Sequence, residues 1–203
     1  MSTHHHSELG AETEEYVSER RLESLDDITR EIADRRLTSE YAEVLPPERL
    51  EILRNLPDRI ESPEDFSQAA TKAGIQETDG VLGWSTDLES PAHVRQGDVP
   101  VEIATLIHED LHRVTAPETM REMTDDPALR ELYEGITEFF TERAANGLHE
   151  HESGECYPEQ VKAAEKLSEE VGETALRDFF FKHELTDEVQ AAIRRVSGNE
   201  PAA

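Results

Sequence analysis

The sequence predicts a mostly helical α+β fold, and three observations carry that expectation. Apolar residues recur at three- and four-residue spacing through most of the chain, as one face of a helix requires. Strand-like stretches are confined to residues 80–97, where that periodicity lapses. Helix-starting Ser and Pro and helix-stopping Gly punctuate the remainder. At 203 residues the chain is long enough for one domain with a sizeable core and an appended helical arm.

Residues 7–37 are dense in Glu, Asp and Arg, with apolar Tyr16, Val17, Leu22, Leu25, Ile28, Ile32 and Leu37. That spacing predicts one or two solvent-facing helices. Pro46 and Pro47 interrupt the chain, and Pro47 suits the first turn of a helix reaching about Leu56. Ser62 as N-cap, with Pro63, Glu64 and Asp65 behind it, opens another helix ending near Gly74. Val81, Leu82 and Trp84, and then residues 92–96, read as a small hairpin or two sheet strands around a turn at 87–91. Pro100 opens a helix to Val114. Residues 115–127 read as a loop.

A second long helix follows from Ala128 to about Asn146, with Leu129, Leu132, Tyr133, Ile136, Phe139, Phe140 and Ala144 on one face. Gly147 is placed to stop it. Residues 157–171, stopped by Gly172, then 174–183 and 187–196 complete a helical tail. Trp84, Phe139, Phe140 and Phe179 to Phe181 are expected in the core. The chain divides into a helical N-terminal segment (1–60), a main domain (61–198) and a disordered tail (199–203).

Net charge is −27, with 47 Asp and Glu against 20 Lys and Arg. Nucleic acid is not an expected partner, because its phosphates would be repelled. The basic residues are 16 Arg and only 4 Lys, a balance that suits a salt-adapted protein whose self-repulsion is screened. An ordinary acidic protein is the alternative. Cys156 is the single cysteine, so no intrachain disulfide forms. No signal-peptide pattern or membrane-length apolar run is present, so the expected location is the cytoplasm, or outside the cell without a cleavable signal peptide. His4, His5 and His6 are either natural or a tag and are set aside.

Residues 108–112 read His-Glu-Asp-Leu-His, an H-E-x-x-H motif on the helix opened by Pro100. Two histidines four apart share one helix face, so both imidazoles can hold one zinc ion. Glu109 beside them can act as general base. A catalytic zinc takes a third protein ligand. Glu134 and Glu138, also four apart, offer that ligand and a carboxylate to orient a histidine ring. Gly135, between them, suggests a close approach of the two helices.

H-E-x-x-H followed after 21 residues by Glu-Gly resembles the gluzincin zinc metallopeptidases. Residues 133–138, Tyr-Glu-Gly-Ile-Thr-Glu, are similar to the Asn-Glu-Gly segment of zinc aminopeptidases and to the Asn-Glu-x-x-x-Asp segment of thermolysin-like enzymes, with Tyr133 in place of the asparagine. The resemblance implies His108, His112 and Glu134 as zinc ligands, Glu109 as base and Glu138 as the supporting carboxylate. It spans about residues 80–184 and implies a minimal zincin-like domain: a short strand pair before the H-E-x-x-H helix, a second ligand helix and a helical tail.

It also implies that an extended peptide or protein substrate pairs with an exposed edge strand at residues 92–96. An endopeptidase is expected, because nothing marks an anchor for a substrate amino-terminus. Tyr157, His149 and His151 follow the second ligand helix, and Tyr157 is the candidate to stabilise the oxyanion; a core role for it is equally open. His149, His151 and Cys156 match no standard zinc spacing. The alternatives are a catalytically silent binding or regulatory protein and a peptidase kept latent by residues 7–60.

Overall fold

The computed structural model describes residues 24–55, 58–75, 80–85, 90–146, 148 and 157–198. The expectations for residues 1–23, for Gly147, for His149, His151 and Cys156, and for 199–203 lie outside them. Among the described residues, nine helices surround a three-stranded sheet. In chain order they are α1 (Leu25–Tyr41), α2 (Pro47–Asn55), β1 (Arg59–Glu61), α3 (Pro63–Lys72), β2 (Gly83–Trp84), β3 (His93–Arg95), α4 (Val99–Val114), α5 (Pro117–Thr124), α6 (Pro127–Ala145), α7 (Pro158–Val171), α8 (Glu173–Lys182) and α9 (Asp187–Val196). The mostly helical α+β class is the one observed.

Helix starts follow their caps. Ser24 and Ser62 accept from the backbone N–H of Asp27 and Asp65, and Asp126 accepts from those of Ala128 and Leu129. Proline stands in the first turn of α3, α4, α5, α6 and α7, where its missing N–H leaves no bond unmade. Gly172, at φ 85°, ends α7 as expected. The stop of α6 is Asn146, at φ 44°, one residue before the glycine expected to supply it. Asparagine tolerates the left-handed region better than other side-chain-bearing residues.

The sheet has one strand more than the pair expected. Its order is β1-β3-β2, with β3 parallel to β1 and antiparallel to β2. Residues 93–95 are therefore the middle strand. The outer strand nearest α4 is β2, which corrects the edge-strand expectation for residues 92–96. Residues 115–127 are also not simply a loop, since α5 occupies most of them and buries Thr119 and Met123.

The main core joins α1, α2 and β3 to α4 through α9. Tyr133, Phe139, Phe140 and Phe179 to Phe181 all lie in it. Trp84 instead joins Phe66 and Ala70 in a small second cluster on the α3 side of the sheet. Helices α1 and α2 are not a solvent-facing arm: Ala33, Leu37, Tyr41, Leu45 and Leu53 belong to the main core. The buried stripe of α1 is Thr29, Ala33, Leu37 and Tyr41, while Leu25 is exposed. The Tyr41 hydroxyl donates to the Phe140 carbonyl at 2.6 Å, and Arg36 donates to that of Ala145. Cutting this segment away would open the core.

Gly135 does permit a close approach, but of a different helix. A Cβ there would collide with the backbone carbonyl of Gln160 on α7, not with α4. Helix α6 thus packs backbone-to-backbone on α7 while its other face meets α4. Gly135→Ala is expected to lower unfolding stability by about 1–3 kcal/mol, the usual range for overpacking. Urea denaturation measures it, and an unchanged or raised stability would contradict this packing.

Candidate metal centre

Helix α4 starts where Gly97 N–H donates to Glu102 Oε1 at 2.7 Å and Pro100 fills the first turn. From Glu102 onward every residue of α4 is buried except Thr105, His108 and His112. With Val101 these form one stripe at spacings of four, three and four, the pattern of a single helix face. Its two histidines look towards α6, where Glu134 and Glu138 sit one turn apart.

Three side-chain atoms converge there. His108 Nε2 lies 3.1 Å from His112 Nε2. Glu134 Oε2 lies 3.5 Å from the first and 3.3 Å from the second. Ligands placed tetrahedrally at zinc distances of 2.0–2.1 Å are separated from one another by about 3.3 Å. The donor set and its spacing therefore fit zinc. His108, His112 and Glu134 are also the one group of potential ligands this close together among the described residues.

Glu138 completes the histidine's setting. Its Oε2 lies 2.9 Å from His108 Nδ1, so the carboxylate accepts that ring N–H and Nε2 is the nitrogen left facing Glu134 and His112. Glu138 is buried and Glu134 partly exposed, as suits a supporting carboxylate and a ligand at an accessible centre.

The charges of the site depend on one another. Burial alone would raise the Glu134 carboxyl, but hydrogen bonds with His108 and His112 hold it well below the usual carboxylate range. Burial disfavours a charged His108, yet Glu134 and Glu138 outweigh it and push its pKa up to about 10. Burial raises the Glu109 carboxyl against the opposing pull of the two histidines. This is a pocket of negative charge that a proton or a cation neutralises.

Glu109 is buried and faces the sheet, lying against Gly83 of β2. The Tyr157 ring lies parallel to that of His108, with centroids 6.3 Å apart, on the residue preceding α7. It is the partly exposed wall of the site and not a core residue. Tyr133, which stands where the resemblance has asparagine, is buried against His112 at 5.1 Å and donates to Thr115 Oγ1 at 3.2 Å.

Behind the metal face lies a set of residues that sequence reading missed. Arg113, fully buried, donates to Asp110 at 2.8 Å and to Asp58, whose carboxylate also accepts Ala92 N–H at 3.0 Å. These bonds tie α4 to the segments entering β1 and β3. The local signal is faint: an Asp and an Arg three residues apart on a helix do not by themselves mark a buried pair.

No known protein family, curated protein or solved structure matches this chain. What can be said of its chemistry comes from the site itself.

If these residues bind zinc, each should matter in a graded way. Loss of one ligand, as in His112→Ala or Glu134→Gln, is expected to abolish stoichiometric zinc. Glu138→Gln is expected to weaken affinity about 10–100-fold, as other supporting carboxylates do. Competition with a chromophoric chelator measures both. Wild-type affinity in the ligand variants would remove the assignment.

Proposed function

We propose that this chain is a zinc-dependent peptidase, most simply an endopeptidase. The observation that supports it above all is the convergence of His108 Nε2, His112 Nε2 and Glu134 Oε2 beside a buried Glu109. Zinc held there would polarise a peptide carbonyl and lower the pKa of water towards ~7.

The chain's own groups account for the remaining chemistry. Glu109 takes a proton from the water whose oxygen bonds to the carbonyl carbon. It then delivers that proton to the amide nitrogen as the C–N bond breaks, leaving a carboxylate and an amine. Burial, which favours the protonated carboxyl, suits a group that must hold the proton between those two steps. Glu138 keeps the His108 ring in one tautomer throughout. Tyr157, at the mouth of the site, is the candidate donor to the developing oxyanion.

The substrate backbone lies along β2, not along residues 92–96. Strand β3 has both edges paired, whereas β2 has no strand partner on its far side among the described residues. Main-chain pairing with that free edge would bring an extended peptide past Glu109.

Glu109→Gln keeps the shape of the side chain and removes the base. It is expected to retain zinc and fold while kcat falls about 10²–10⁴-fold, the usual contribution of a general base. Cleavage of a peptide library by the two proteins reads this. Equal turnover would end the base assignment, and no turnover by zinc-loaded wild type would favour a silent binding protein.

A further inference from the structure

Gly83 is the point at which the sheet touches Glu109. A Cβ placed on it would lie 2.6 Å from Thr105 Cγ2, 2.9 Å from Glu109 Oε1 and 3.0 Å from Glu109 Cγ. Non-bonded carbons pack at about 3.5–4.0 Å, so even a methyl group does not fit there. The requirement is for volume and not for backbone freedom. Gly74, Gly80, Gly172 and Gly198 have positive φ and open space around them, whereas Gly83 has an ordinary φ and crowded surroundings.

Neither strand β2 nor Thr105 has an easy way to retreat from this contact. Thr105 and Glu109 stand one turn apart on α4, and Thr105 Oγ1 donates to Val101 O at 2.8 Å. On the opposite face of β2, Trp84 stacks on His93 with ring centroids 4.0 Å apart and packs against Phe66. Strand β2 is held between α4 and that stack. An added side chain would have to displace the carboxylate end of Glu109, the more flexible partner.

We infer that Gly83 is a positioning residue for Glu109. Its missing side chain is the space that seats the carboxylate against the outer strand. A base that acts on a peptide paired with β2 must lie within a few ångströms of that strand, and only glycine at position 83 allows it. The catalytic consequence rests on the peptidase reading, whereas the placement of Glu109 does not.

Three variants test this: Gly83→Ala, Thr105→Ser and the two combined. The readouts are zinc content, thermal stability, the carbon-13 carboxyl signal of Glu109 (assigned by its loss in Glu109→Gln), and kcat and KM. Gly83→Ala is expected to bind one zinc per chain and to shift the Glu109 signal. Its kcat should fall about 100-fold with KM little changed, the scale of loss for a catalytic group displaced by an ångström. Thr105→Ser removes the methyl at 2.6 Å, and of the three nearest atoms the two of Glu109 remain. The combined variant should therefore regain stability but not kcat, and it decides the matter if Gly83→Ala does not fold. A wild-type kcat or an unmoved Glu109 signal in the combined variant would overturn the inference. If wild type cleaves no peptide, the peptidase reading fails, and the Glu109 signal alone judges Gly83.

Discussion

The Arg113 guanidinium, sealed inside the protein between Asp58 and Asp110, sets where helix α4 can lie. A charge buried without a partner is strongly destabilising, and breaking such a pair typically costs about 3–5 kcal/mol. Helix α4 therefore has one rotation and one height that satisfy Arg113. Asp58 precedes β1 and also holds Ala92 N–H, so the same bond fixes α4 against the sheet. From that placement follow the two contacts that matter: His108 and His112 look towards α6, and Glu109 looks towards β2. Burial pushes up the carboxyls of Asp110, Asp58 and Asp34, the last to about 6, and the Arg113 charge opposes that rise in all three.

The metal face is a second charge problem solved from the other side of the same helix. Two imidazoles meet Glu134 and Glu138, with Glu109 nearby. Glu138 holds the Nδ1 side of the His108 ring, which leaves Nε2 as the nitrogen turned to Glu134 and His112. The raised His108 pKa and the lowered Glu134 pKa express the demand of this pocket for positive charge. Zinc would meet that demand, and the spacing of the three donor atoms fits it.

Much of this was legible from local sequence because the governing physics is local. Ser62, Pro63 and Gly172 mark helix ends through bonds and dihedrals within four residues. The four-residue spacing of His108 and His112, and of Glu134 and Glu138, places each pair on one face whatever surrounds it. The features that escaped depend on distant parts of the chain. Strand β1 is three residues long and pairs in parallel with a strand more than thirty positions away. Gly135 was readable as a close approach, but its partner, Gln160, was not. Gly83 stood in a short apolar stretch like any strand glycine, and only the folded chain brings Glu109 against it. The buried stripe of α1 runs through Thr29 and Ala33, residues too small or too polar to stand out in the apolar pattern.

The central claim is that His108, His112 and Glu134 hold one zinc ion. X-ray absorption at the zinc edge tests it most directly, on full-length protein with His4, His5 and His6 replaced by serine. The expected result is one zinc per chain with two imidazole nitrogens and additional oxygen ligands at about 2.0–2.2 Å. Absence of bound zinc, or a shell without two imidazoles, would contradict the account.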